Sequence, residues 1–216
     1  MQLFSMYGLI LAWMGYFLIH SLLASFWFKQ KIRRGFPSSR RWYRLVYNSL
    51  AVILLIPVVI ILHKGNWEAI WQWTGAWKYL QMVFSAVIVV LFLWSLSLYR
   101  GMDFSGLDAA FNRNKATSAE FRVSNWHRYV RHPWYSLALG LIWIQDMNVG
   151  ILTTAIVVSI YFVIGSRLEE NKLICEFGDT YRRYRELVPG LIPLPWKYLS
   201  AQESERLTST SPAPPE

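Results

Sequence analysis

Residues 79–99 read YLQMVFSAVIVVLFLWSLSLY, 21 positions without one Asp, Glu, Lys, Arg or His. A helix rises about 1.5 Å per residue, so a run of this length covers about 30 Å, the thickness of a bilayer's hydrocarbon core. Inside lipid only a helix or a closed barrel satisfies its own backbone polar groups. The stretch therefore predicts a membrane-spanning helix. Working outward, similar apolar runs occupy residues 6–28, 45–62 (with Pro57 inside), 133–145 and 149–164. The expected fold class is all-α, a polytopic membrane helix bundle of about five transmembrane helices.

Composition agrees. Hydrophobic residues make up 54% of the 216 and charged residues 16%, against about 25% charged in soluble domains. The formal net charge of +9 raises the question of nucleic acid. The charge sits in loops that flank apolar runs, which fits a membrane surface and no nucleic-acid partner. One cysteine, Cys175, and four scattered histidines exclude a disulfide framework and show no metal-ligand spacing. The first apolar run lacks a positive leader and a small-residue cleavage site, so it reads as a span and not as a signal peptide.

The cations set an expected orientation. Residues 29–44, 100–131 and 167 onward hold 20 of the 22 Lys and Arg residues. The segment 63–78 holds two and carries Trp67, Trp71, Trp73 and Trp77, an aromatic belt for the opposite surface. The positive-inside rule then puts the N-terminus outside and the C-terminus in the cytosol. The expected location is multi-pass in a membrane, a bacterial inner membrane. Residues 133–145 and 149–164, parted by Asp146-Met147-Asn148, form a C-terminal helical hairpin. Its first arm is short against the usual length of about 20, which leaves open a re-entrant segment or a span buried against its neighbours. From Ser166 apolar and charged residues alternate at helical spacing, predicting a cytosolic amphipathic helix at the interface. Arg100 to Arg131 reads as loop plus a short interfacial helix. The expected domain is 1–199, with 200–216 a disordered cytosolic tail.

A hairpin returns the chain to the side it left. Arg131-His132-Pro133-Trp134-Tyr135 and Glu169-Glu170 therefore become neighbours on topology alone. Arginines at a membrane boundary usually reach for lipid headgroups. A carboxylate beside an anionic leaflet gains nothing from the lipid, so Glu169 and Glu170 need a partner, such as Arg167 or a bound cation. His20, inside the first span, is a functional candidate because ionisable groups in a membrane are costly.

The ordered set Arg131-His132-Pro133-x-Tyr135, Glu169-Glu170-x-x-Leu173, Phe177-Gly178-x-x-Tyr181-x-x-Tyr184 and Val188-Pro189-x-x-Ile192-Pro193 resembles the C-terminal half of the isoprenylcysteine carboxyl methyltransferase superfamily. His20-Ser21-Leu22-Leu23-Ala24-Ser25, Tyr43-Arg44-Leu45-x-Tyr47-Asn48 and Asp103-Phe104-x-Gly106-Leu107 resemble the NnrU-like proteins and the bacterial methanethiol S-methyltransferases. The resemblance implies a membrane enzyme that uses S-adenosyl-L-methionine. It implies a cofactor pocket drawn from Arg131, His132, Tyr135, Glu169, Glu170, Tyr181 and Tyr184. Arg167, Glu170 and His20 are the candidate catalytic groups, with no metal. Aromatic faces such as Trp134 or Tyr181 are candidates for cation–π contact with the sulfonium. The acidic run is shorter than in the prenyl-cysteine enzymes, and Gly140 stands later than the usual glycine. The expected partners are therefore a small or lipophilic thiol as methyl acceptor, and membrane lipid. Isoprenylcysteine carboxyl methylation and a non-catalytic NnrU-like accessory protein are the alternatives. A small transporter fits least, because the spans carry few charges.

Overall fold

A computed structural model describes residues 2–36, 39–98, 121 and 123–209. The motif at 103–107, the segment expected as loop plus interfacial helix up to residue 120, and the tail from 210 lie outside the described residues. The described chain is helical almost throughout. Four helices are long and apolar enough to cross a membrane: α1 (Gln2–Ala24), α3 (Ser39–Lys64), α4 (Ala76–Leu98) and α6 (Val149–Leu187). Their packing is inside-out by soluble standards. Val83, Phe84 and Val90 of α4 are 58%, 56% and 62% exposed. Surface of that kind is stable against lipid and not against water. The protein is an all-α polytopic membrane bundle.

Three boundaries differ from the sequence expectation, each for a local reason. The run at 6–28 is broken at Ser25, whose extended backbone and hydroxyl cap a second helix, α2 (Phe26–Gly35). The fourth apolar run, 133–145, is α5 (Pro133–Trp143), 11 residues long, or about 16 Å of rise. Since Gly165 at their junction keeps helical geometry, the run from 149 and the amphipathic segment after 166 are continuous in α6 (Val149–Leu187). Its one non-helical residue is Gly178, at φ 57° and ψ −129°, a conformation open essentially to glycine alone.

The chain divides into two compact units. The first comprises Met1–Lys115 and Ile144–Val157. Here α1 and α3 pair in opposite directions, with the Tyr43 hydroxyl donating to Leu23 O at 2.5 Å and Tyr47 Oη 2.7 Å from His20 Nε2. Trp13 Nε1 donates to Thr154 Oγ1 at 3.1 Å. The tryptophan-rich segment forms a short strand, β1 (Ala69–Trp71), antiparallel to β2 (Met147–Asn148). Asp146 ties this ribbon down. It accepts from Trp73 N at 3.0 Å and pairs with Lys78 Nζ at 2.6 Å. These two bonds hold its carboxyl below the usual range.

The second unit comprises Ala116–Trp143 and Val158–Glu216. Its core is Phe121, Tyr181, Tyr184, Val188, Leu199 and Leu207. Tyr181 and Tyr184 stand three apart on α6 and so share a face; both rings meet Phe121. Leu207 belongs to α7 (Ala201–Ser209), so ordered structure continues past the expected boundary at residue 200. The cause is a reciprocal cap. Glu203 N donates to Ser200 Oγ at 3.2 Å, and Ser200 N donates to Glu203 Oε2 at 2.8 Å.

Candidate active site

The site lies in the second unit, where α5 and α6 run antiparallel. Tyr135 stacks on Phe162 at 4.5 Å, and Trp143 Nε1 donates to Ser159 Oγ at 3.0 Å. Continuing that pairing past the start of α5 brings Arg131 and His132 to Glu169 and Glu170. The segment after α6 closes the site from another side. Arg131 N donates to Pro189 O at 2.8 Å, and His132 N to Gly190 O at 3.1 Å. Ser136 Oγ sits within 3.0 Å of His132 O and 2.6 Å of Leu191 O.

Glu170 is 7% exposed, and a carboxylate so buried needs compensation. Its Oε1 receives Arg131 Nε at 2.9 Å, the Arg131 Nη2 at 2.8 Å and His132 Nε2 at 3.0 Å. Among the described residues its Oε2 has no such partner. The other guanidinium nitrogen of Arg131 donates to Arg185 O at 2.7 Å and to Val188 O. Every arm of Arg131 is thus occupied by protein, which makes it a clamp rather than a lipid-facing cation. His132 also has Nδ1 3.5 Å from Glu169 Oε2, and its ring stacks on Tyr135 at 5.4 Å. Burial disfavours the imidazolium, but hydrogen bonds and charge from Glu169 and Glu170 outweigh it, and the His132 pKa is raised. His127 shows the contrast. Burial, with His132 charge adding to it, pushes its pKa down to about 4.

Beside this cluster is a pocket of about 480 Å³, lined in part by Arg131, Ser166, Arg167 and Glu170, with an apolar wall of Val163, Leu191, Ile192 and Leu194. Arg167 is exposed, and among the described residues it has no hydrogen-bond or ion-pair partner. Gly190 completes the wall. A Cβ there would sit 3.2 Å from the Arg131 Nη2, so the glycine lets the backbone close on the clamp.

The structure therefore brings Arg131, His132, Tyr135, Glu169, Glu170 and Arg167 together. Tyr181 and Tyr184 lie in the core, 2% and 3% exposed, and not among the residues that line the pocket. His20 belongs to the first unit, stacked on Tyr16 at 5.4 Å and bonded to Tyr47. Its Nδ1 is buried without a partner among the described residues. Sequence reasoning missed Ser136, Gly190, Phe162 and Arg128. The first three owe their roles to backbone and ring contacts across the hairpin. Arg128 clasps Leu199 O at 2.9 Å. None of the four has a sequence signal beyond its closeness to a motif.

Membrane-length apolar helices and the ordered RHPxY–EExxL–FGxxYxxY set place the chain in the class of polytopic membrane methyltransferases. Within that class the chain belongs to the methanethiol S-methyltransferase family. The methanethiol S-methyltransferase of Pseudomonas deceptionensis is 31% identical over 185 residues, covering 81% of this chain and 67% of the relative. That of Crocosphaera subtropica is 29% identical over 190 residues, 81% of this chain and 69% of the relative. Methanethiol S-methyltransferase 2 of Bradyrhizobium diazoefficiens is 29% identical over 193 residues, 82% and 73%. No protein-family model and no solved structure matches the chain.

Proposed function

We propose that the protein transfers a methyl group from S-adenosyl-L-methionine to a small or lipophilic thiol within the membrane. The observation that carries this reading is the buried Arg131–His132–Glu170 cluster beside a pocket that Arg167, without an ion-pair partner among the described residues, also lines. The donor set suits the methyl donor. Its ammonium needs an acceptor, which Glu170 Oε2 offers, and its carboxylate needs a cation, which Arg167 can supply. About 480 Å³ falls in the range of pockets for molecules of that size. Val163, Leu191, Ile192 and Leu194 exclude water from one side. When bound, S-adenosyl-L-methionine supplies a methyl group activated by its sulfonium.

The chain's own work is charge placement. Arg131 and protonated His132 keep Glu170 ionised and pointing one way. A thiol has a pKa of about 8.5, and a nearby cation favours the thiolate. Arg167 is the cation at the pocket that can do this. The thiol would lose its proton to water, its sulfur would bond to the methyl carbon as that carbon's bond to the sulfonium breaks, and a thioether and S-adenosyl-L-homocysteine would leave.

Names of relatives support the reaction type, and the shared family makes a thiol the favoured acceptor class. Two measurements test the reading. Purified protein is titrated with S-adenosyl-L-methionine. Membranes holding the protein receive labelled S-adenosyl-L-methionine with methanethiol, a longer alkyl thiol or a farnesylcysteine analogue. A labelled thioether from either thiol is expected. A base-labile methyl ester from the farnesyl compound alone overturns the thiol and restores carboxyl methylation. No binding and no product sink the enzyme reading in favour of an accessory protein.

A further inference from the structure

Helix α2 is a surface that the proposed reaction does not use. It begins two residues after α1 ends and finishes before α3 starts. Both flanking helices are long and apolar enough to cross a membrane, and they run antiparallel through the Tyr43–Leu23 and His20–Tyr47 bonds. So α2 joins their ends at one membrane face. Ser25 builds the corner. Its backbone is extended (φ −65°, ψ 145°), and its Oγ donates to Leu22 O at 2.7 Å and accepts from Phe28 N at 3.2 Å. The helix direction is thereby broken at Ser25, inside the apolar run and ahead of Phe26, Trp27 and Phe28.

The exposed face of α2 is both cationic and aromatic. None of its residues is buried. Phe26 and Trp27 are 68% and 63% exposed, and Phe36, just past its end, 67%. Lys31, Arg33 and Arg34 are exposed beside them, and the Lys31 ammonium lies 5.1 Å from the Trp27 ring centre. No Asp or Glu precedes Glu68 in the sequence. Among the described residues of this unit the acids are Glu68 and Asp146. Both are held with the β-ribbon beyond the far end of α3. The described part of the unit offers these three cations no carboxylate, and at a membrane face lipid phosphates are the anions of complementary charge.

We infer that α2 is a docking surface for anionic phospholipid. Phe26, Trp27 and Phe36 enter the boundary between headgroups and acyl chains, and Lys31, Arg33 and Arg34 pair with lipid phosphates. The inference rests on the first unit alone and is independent of the methyl-transfer reading. The test uses the full chain in nanodiscs of equal phosphatidylglycerol and phosphatidylcholine, with native mass spectrometry of the lipids that remain bound. Phosphatidylglycerol is expected to dominate on the wild type, and raised salt to narrow the preference. The triple variant Lys31→Gln, Arg33→Gln, Arg34→Gln is expected to shift the ratio tenfold or more toward parity. That follows because one cation near an anionic leaflet is worth roughly fivefold in partition. Arg40, Arg41 and Arg44 are kept, to hold the orientation. The charge-keeping triple Lys31→Arg, Arg33→Lys, Arg34→Lys is expected to retain the preference. Equal retention of both lipids by the wild type overturns the inference. So does an unchanged preference in the Gln triple, or its loss in the charge-keeping triple.

Discussion

Glu170 is one side chain with two tasks, and single substitutions separate them. Its Oε1 is held by Arg131 and His132, while Oε2 faces no described partner. Glu170→Ala and His132→Ala are each expected to weaken S-adenosyl-L-methionine binding by about 1–3 kcal/mol, the usual cost of a lost hydrogen bond to a partly buried polar group. Calorimetry on both variants checks this, and unchanged affinity in both makes the motif structural only. Arg131→Met should act mainly on folding. It strands a carboxylate whose side chain is 9% exposed and frees the carbonyls of Arg185 and Val188, a loss of about 3–5 kcal/mol for a broken buried pair. Thermal unfolding in detergent reads it. The raised His132 pKa has a definite pH signature. Its stabilisation is fully present below the unfolded value of about 6.5 and fades as pH climbs through the higher folded value. The melting-temperature gap between wild type and His132→Gln should therefore be widest below pH about 6.5 and shrink above it. A gap that does not change with pH would rule out the charged imidazolium. The meeting of Arg131 with Glu170 was legible from topology, because a hairpin returns the chain to its starting face. The grip of Arg131 on two carbonyls was not, since backbone acceptors leave no trace in side-chain pattern.

At the scale of elements, length and charge carried the reading, and breakers limited it. The charge-free run at 79–99 became Ala76–Leu98, and the run at 45–62 became the middle of Ser39–Lys64. Both follow from the cost of leaving backbone groups unpaired in lipid. Ser25 was missed as a stop because the apolar residues continue past it to Phe28. The β-ribbon was invisible because its two strands lie far apart in sequence, at Ala69–Trp71 and Met147–Asn148. The order of α7 was hidden by a polar composition, although Ser200-x-x-Glu203 is a capping signature. Gly178 was quoted as part of a motif, and its physical role is the bend inside α6. The bend carries Tyr181 and Tyr184 onto Phe121, and Arg185 O and Val188 O onto Arg131. A Cβ at Gly178 meets no atom within 4 Å, so Gly178→Ala tests backbone strain alone, worth about 1–3 kcal/mol. Lower thermal stability together with weaker S-adenosyl-L-methionine binding is expected. Normal values for both would show that α6 tolerates a regular turn there.

For the whole molecule the open quantity is orientation, and the parity of crossings decides it. The three basic segments alternate with apolar runs along the chain, so they share a side only if residues 133–164 leave a membrane face and return to it. Within the first unit β2 pairs with β1, and β1 lies in the tryptophan-rich link between α3 and α4. The turn between α5 and α6 is thus tied to the surface where α3 ends, which carries two Lys and no Arg between residues 63 and 78. Eleven residues of α5 rise about 16 Å, and the extended residues up to Asn148 lengthen the reach. Counted as a crossing, α5 brings the expected number to five, with the termini expected on opposite sides. Positive-inside bias predicts a cytosolic C-terminus, with Arg182, Arg183 and Arg185 on that side. Reporter fusions after Ser200 and after Trp67 separate the cases. The expected result is a cytosolic signal at Ser200 and an external one at Trp67. The same sign at both positions would mean that α5 does not cross. An external signal at Ser200 with a cytosolic one at Trp67 would turn the chain over and place the Arg131–Glu170 pocket on the side away from cytosolic S-adenosyl-L-methionine, which no rearrangement of side chains could repair.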